Sequence, residues 1–425
     1  MIRELSAVAP RFRLLALFWL LIPAWGAALE ETGFFLKDGD RVVFYGDSIT
    51  DQRLYTSFVE TYVMTRFPRI KVTFINSGVS GDRVTGGQAG SIYVRLQRDV
   101  FAYQPTVMTI MLGMNDGGYR AFDQESFDVY AGGYRHIVQM VKQAVPGIRL
   151  TLIRPSPYDD VTRPVTFAGG YNKVLTRYGE FIEELGQREG LTVADLNTSV
   201  VAALEAANNV SAEAAKKIVP DRVHPAPGGH LLMAEALLKA WKAPAMVTAV
   251  EIDVAGKRAV RADNTRVTDL ETDDRIAWTQ VDGALPMPLD SEDESVAVAL
   301  HASDFVEALD QEPLKITGLP AARYTLKIDG DGQGSFTKQQ LTEGVNLATL
   351  PTPMAKQAAV VHDLTLRHGG VHFARWRLVQ LNLRNIPAAH TQAASDALDA
   401  LEQEVIQQQR EAAHPKPHRY ELVAE

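Results

Sequence analysis

Strand-like apolar runs alternate with amphipathic helical stretches as far as about residue 242, which predicts an α/β fold with a central parallel sheet and helices on both faces. A second observation agrees. Each marked turn up to Asp160 leaves the end of a strand, and in an open parallel sheet such turns gather on one edge, where ligands bind. Beyond Ala243-Pro244-Ala245 the pattern changes to short strand-like pieces, which predicts a C-terminal β-rich region with helical additions. At 425 residues two domains are expected, over 29–245 and 246–425, behind a leader at 1–28.

The leader reads as a secretory signal peptide. Arg3, Arg11 and Arg13 precede Leu14-Leu15-Ala16-Leu17-Phe18-Trp19-Leu20-Leu21-Ile22, and the small residues Ala24, Gly26, Ala27 and Ala28 follow. The apolar run is short for a transmembrane helix, so a secreted or periplasmic protein with no integral membrane span after signal removal is expected.

Val42-Val43-Phe44-Tyr45 reads as a buried strand that stops at Gly46-Asp47-Ser48, with a helix over 51–66. Ile70–Ile75 is a second strand, and Asn76–Asp82 a glycine-punctuated turn leaving it. A helix over 91–101 precedes a third strand, Val107–Leu112, which ends at Gly113-Met114-Asn115-Asp116-Gly117. The pattern continues with a helix at 124–145, a strand at 148–153 and the fixed loop Arg154–Asp160. Helices at 168–188, 198–217 and 228–242 and a strand at 191–196 complete it. Past the boundary, strands are expected at 247–254, 257–260, 266–270, 275–278, 295–300, 314–316 and 324–328, the last entering a hairpin turn at Asp329-Gly330-Asp331-Gly332. The acid-rich stretch 269–312 reads as solvated surface, 354–384 and the region around Leu398 as helices, and the tail from Ala413 as loose.

The net charge of −9 lacks the basic balance of a nucleic-acid partner. With no cysteine there is no disulfide framework, thiolate metal site or catalytic thiol.

Hydrolysing an ester at neutral pH needs an activated nucleophile, a base that becomes the acid, and donors for the oxyanion. Ser48, where strand turns into helix, is the candidate nucleophile; its plainer alternative is a helix cap. Asp221 and His224 are three apart and Pro225 follows, so a tight loop could let Asp221 hold one imidazole nitrogen while the other faces Ser48. The backbone N–H groups of Ser48 and Gly81 and the side-chain amide of Asn115 are candidate oxyanion donors. Arg154 and Tyr158 are candidates for substrate contact.

The set GDSIT, NSGVSGD, LGMND and DRVHP resembles the four blocks of the SGNH (GDSL-type) hydrolases over about residues 40–242. The resemblance implies a flavodoxin-like three-layer α/β/α fold and a serine esterase with no metal and no cofactor. It implies Ser48, Asp221 and His224 as the triad, and Gly81 and Asn115 in the oxyanion hole. The later region around Gly318–Gly330 looks like the appended C-terminal part of some secreted bacterial GDSL-type proteins. A small-molecule or glycan ester is the expected substrate, with removal of acetyl groups from carbohydrate the leading activity. A lipid-directed esterase or lysophospholipase, a polymer O-acetyltransferase and a non-enzymatic glycan-binding scaffold are the alternatives.

Overall fold

The computed structural model describes residues 33–425. The expected signal peptide at 1–28 lies outside the described residues.

The first sheet has five strands: β1 (Arg41–Gly46), β2 (Thr73–Gly78), β3 (Val107–Met111), β4 (Arg149–Ile153) and β5 (Thr192–Ala194). All pairings are parallel and the order is β2-β1-β3-β4-β5. Successive residues of a strand point to opposite faces, so one row shows what each face meets. Phe44, Thr109 and Thr151 share a row. Phe44 meets Tyr55, and Thr151 accepts the Trp241 Nε1–H at 2.8 Å. That face therefore carries α1 (Leu54–Arg66) and α2 (Pro227–Ala240). The neighbouring row begins with Tyr45, whose ring lies under Arg95 of the helix Ile92–Asp99. Helices on both faces make three layers. Between β1 and β3 the strand order reverses, and this is where an open α/β sheet leaves a crevice at its carboxyl edge.

The C-terminal region has two sheets. One is mixed and four-stranded, in the order 345–346, 313–317, 249–253, 258–263. The other is antiparallel and five-stranded, in the order 265–271, 276–282, 417–424, 323–328, 331–337. Two long helices, Pro353–Phe373 and Ala388–Ala412, form a hairpin whose first arm runs into a π-helical segment, Ala374–Leu381. Its two halves are not separate globules: one hydrophobic core runs from Val42 through Trp241 to Trp278 and Tyr420. The boundary is clamped by Arg66, whose guanidinium donates to the carbonyls of Pro244, Ala245, Met246 and Leu309 and pairs with Asp310 at 3.2 Å. Among the described residues no helix is long and apolar enough to cross a membrane.

Several expectations for this region need correction. Residues 295–300 lie in a helix, Glu294–His301, because Asp293 caps it by accepting from the N–H groups of Ser295 and Val296. The tail is not loose. His418, Tyr420 and Leu422 alternate inward in the strand Pro417–Ala424, and Tyr420 stacks on Trp278 with centroids 5.1 Å apart. The acidic stretch is not all solvated: Asp282, Asp310 and Glu312 are buried. Burial, and then the neighbouring Asp282 and Asp310, push the Glu312 carboxyl well above the usual range.

Candidate active site

The last residue of β1 is glycine because a Cβ at position 46 would stand 2.1 Å from the Thr50 hydroxyl and 2.9 Å from the Met111 carbonyl. Asp47 then caps a single helical turn, Ser48–Asp51, its Oδ1 accepting the Ile49 N–H at 3.1 Å. Burial pushes the Asp47 carboxyl up to about 7, with Asp116 and Asp82 adding to the effect and the Ile49 N–H opposing it. Asp116 behaves similarly, raised to about 6 by burial although its Oδ1 accepts the Val84 N–H. Ser48 thus stands at the carboxyl end of β1, at the reversal of strand order, above a floor of buried carboxyls.

The chain leaving β2 packs directly on this turn, since a Cβ on Gly78 would meet the Asp51 backbone nitrogen at 2.3 Å. Val79–Asp82 closes as a β-turn, with the Asp82 N–H donating to the Val79 carbonyl at 3.1 Å. Gly81 holds its third position at φ +79°, a conformation that costs other residues a Cβ clash. The Asp51 carboxylate accepts from both the N–H and the hydroxyl of Ser80, which ties the Gly81 turn to the Ser48 turn. Among the described residues the backbone N–H groups of Ser48 and Gly81 have no protein acceptor.

Asn115 follows β3. Its Nδ2 donates to the Asp82 carbonyl at 3.0 Å, and its Oδ1 accepts the Tyr119 hydroxyl at 3.2 Å. A backbone carbonyl can only accept, so the amide orientation is determined. One N–H of Asn115 is left over, beside the Gly81 turn. Tyr119 carries no signal in the sequence for this task.

The base comes from the loop before α2. His224 Nε2 lies 2.9 Å from Ser48 Oγ, and His224 Nδ1 lies 2.8 Å from Asp221 Oδ2. The other Asp221 oxygen accepts the backbone N–H groups of His224 at 2.7 Å and Val223 at 2.9 Å. Partial desolvation raises the Asp221 carboxyl, but the hydrogen bonds from His224 and Val223 outweigh it and hold the group below the usual range. The Asp221 carboxylate therefore favours a proton on Nδ1 and leaves Nε2 to accept from Ser48.

The loop after β4 braces this loop. Asp159 N–H donates to the Arg222 carbonyl at 2.9 Å, and Arg163 reaches the carbonyls of Val219 and Pro220 while pairing with Asp159. Tyr158 is buried with its ring against Tyr119 and Tyr171 and beneath Arg222, so it supports the pocket rather than lining open space. Arg154 is not at the site. Its guanidinium is committed to Glu183 at 2.9 Å and Asp195 at 2.6 Å and is nearly buried, which leaves a substrate-contact role without support. Among the described residues no group of three or more His, Cys, Asp or Glu side chains is placed to hold a metal ion.

Behind the Gly81 turn lies an ionic network that sequence reasoning missed. Arg95, fully buried, donates to Asp82 at 2.7 Å, to the Ser77 carbonyl at 2.6 Å and to Asp99. Asp99 also accepts the Trp376 Nε1–H at 2.7 Å from the C-terminal π segment. Val79 and Ala89 bury together with Trp376 and Leu381 in a small second core. The appended region thus reaches the residues that carry Gly81.

The model of the GDSL-like lipase/acylhydrolase family matches residues 44–232, a span that contains the Ser48 turn, the Gly81 turn, Asn115 and the Asp221–His224 loop. This domain belongs to the GDSL-like lipase/acylhydrolase family. The GDSL domain accounts for the ester-hydrolase character of the protein. It is 26% identical over 234 residues to an acetylxylan esterase of Geobacillus stearothermophilus, a match covering 48% of this chain and 94% of that protein. A solved structure of a gut microbial diltiazem-metabolizing enzyme is similar along nearly the whole length. The match has a TM-score of 0.79 at 26% identity and covers 92% of this chain and 100% of that one, so the two share the C-terminal architecture as well as the GDSL domain.

Proposed function

We propose that the protein is a serine esterase that removes acetyl groups from O-acetylated carbohydrate, with Ser48 as nucleophile, His224 as base and Asp221 as its orienting carboxylate. The observation that carries the mechanism is the unbroken chain Asp221–His224–Ser48, with links of 2.8 and 2.9 Å. His224 Nε2 takes the Ser48 hydroxyl proton as Oγ attacks the ester carbonyl. The tetrahedral oxyanion is met by the unpartnered N–H groups of Ser48 and Gly81 and the spare N–H of Asn115, each donor of this kind contributing about 3 kcal/mol to the transition state. His224 then gives its proton to the leaving sugar oxygen. A water enters and attacks the acetyl carbonyl as His224 takes its proton, and His224 returns that proton to Ser48 Oγ as acetate leaves. The match to an acetylxylan esterase, nearly the whole of that relative, supports carbohydrate as the alcohol side.

Turnover of p-nitrophenyl acetate and release of acetate from acetylated glycans test this. Both should vanish to background in Ser48→Ala with the fold retained. Parental activity in that variant would refute the serine mechanism. Turnover confined to long-chain acyl esters would refute the acetyl-carbohydrate reading and leave the triad standing.

A further inference from the structure

The π-helical segment Ala374–Leu381 lies against the Gly81 side of the site, plugged in place by Trp376 and Leu381 on Val79 and Ala89. Helices wound this way are uncommon and recur at functional sites. Beside the plug is a groove of about 340 Å³ floored by Ala89 and Leu381. Its polar lining is Gln88 on one wall and Arg377, Asn382, Arg384 and Asn385 on the other. No carboxylate lines it, in a chain whose net charge is −9. Among the described residues, the side chains of Gln88, Asn382, Arg384 and Asn385 have no hydrogen-bond or ion-pair partner. Arg377 alone in this polar lining has such a partner, a long ion pair with Asp51 at 3.8 Å.

That approach locates the groove. Asp51 closes the helical turn that Ser48 opens, and its carboxylate holds Ser80 next to Gly81. One helical turn spans about 5.4 Å, so Arg377 lies on the order of 10 Å from Ser48, within reach of a sugar next to the esterified one.

We propose that this groove is a subsite for an acidic sugar, one carrying a carboxylate or a sulfate, in the same glycan chain as the acetyl ester. Guanidinium forks match such oxyanions in geometry and charge, and the three amides supply both donors and acceptors for ring hydroxyls. The segment that carries Arg377 and Leu381 is anchored, because Trp376 is buried and tied to Asp99. The proposal rests on the carbohydrate reading above and adds the charge of the preferred glycan.

Ser48→Ala protein is titrated calorimetrically with three unacetylated oligosaccharides of equal length: neutral, hexuronate-bearing and sulfated. At least one acidic ligand should bind roughly tenfold tighter than the neutral one. Whichever binds tighter identifies the anion. Arg384→Gln, at an exposed position where folding is not at risk, and Arg377→Gln should each bring the ratio of acidic to neutral affinity toward one, whereas Arg266→Gln, on a strand outside the groove, should keep it. Equal affinity for all three ligands, no binding of any, or an acidic preference that survives both groove variants overturns the subsite. Failure of the deacetylase reading shows elsewhere: the parent protein would turn over p-nitrophenyl acetate yet release no acetate from any acetylated glycan.

Discussion

Replacing Asp221 by Asn tests the proposed mechanism at the point where electrostatics and tautomer can be told apart. The carboxylate has two tasks. Oδ1 accepts the backbone N–H groups of Val223 and His224, and Oδ2 accepts from the His224 ring. Asparagine keeps the first task through its carbonyl oxygen, so the loop should hold its shape. At the second oxygen it presents an N–H₂ group, which forces His224 Nδ1 to accept and puts the ring proton on Nε2, facing Ser48. An imidazole in that state cannot take the serine proton. In a buried triad this change costs roughly 10⁴ in kcat, about 5 kcal/mol. Asp221 is 56% exposed here, so water screens part of its charge effect but does not restore the tautomer. The expected loss in kcat is therefore about 10²–10⁴, with KM for p-nitrophenyl acetate little changed and thermal stability within a few degrees of the parent. A well-folded Asp221→Asn protein that retains more than roughly a tenth of the parental kcat would refute the tautomer argument.

Other perturbations reach the site through its supports. Tyr119→Phe removes the hydroxyl that fixes Asn115 Oδ1 and leaves the Asp82 contact, so kcat should fall about three- to tenfold, in line with one lost hydrogen bond, with KM unchanged; steady-state kinetics showing parental kcat would deny Asn115 its need for that orientation. Trp376→Phe keeps the packing against Val79 and deletes the donor to Asp99, and denaturant unfolding should show a loss of about 1–2 kcal/mol; an unchanged midpoint would mean that the buried contact contributes nothing. His230 accepts the Tyr55 N–H on Nδ1 and faces Gln52 with Nε2, a pattern only the neutral ring satisfies. Burial first, and His224 nearby second, lower its pKa to about 3 from 6.5. The unfolded chain therefore binds the proton more readily, so this contribution to stability is intact above pH 6.5 and is lost as pH falls toward 3, by about 2 kcal/mol at pH 5. Urea midpoints for the parent and His230→Gln should converge on acidification, and parallel curves would contradict this assignment.

The residues brought together around Ser48 were legible because each sits in a short motif with a local structural meaning. A strand that stops at Gly46-Asp47-Ser48, a glycine-punctuated turn at Asn76–Asp82 and an Asp three residues before a His-Pro pair all announce themselves within a few positions. Arg154 misled because nothing near it in the chain reveals Glu183 and Asp195, its partners across the fold. Tyr119, Arg95 and Trp376 were invisible for the same reason: their meaning lies in contacts that join distant segments. In the C-terminal region, β-branched Val296 and Val298 suggested a strand, but the Asp293 cap and packing against α2 prevail. Pro415 and Pro417 disguised the alternation that follows them.

The strand Pro417–Ala424 also bears on how the protein is made. It lies in the middle of its sheet, between 276–282 and 323–328, and both neighbours pair only with it on that side. During synthesis the five-stranded sheet stays split until position 424 has emerged. Until then Trp278 and Leu326 face an open gap edged by unpaired backbone, a surface prone to aggregation and attractive to chaperones. Deletion of residues 417–425 should therefore yield insoluble protein rather than a shorter active one. In pulse-labelled nascent chains this sheet should gain protease resistance only after position 424 has emerged.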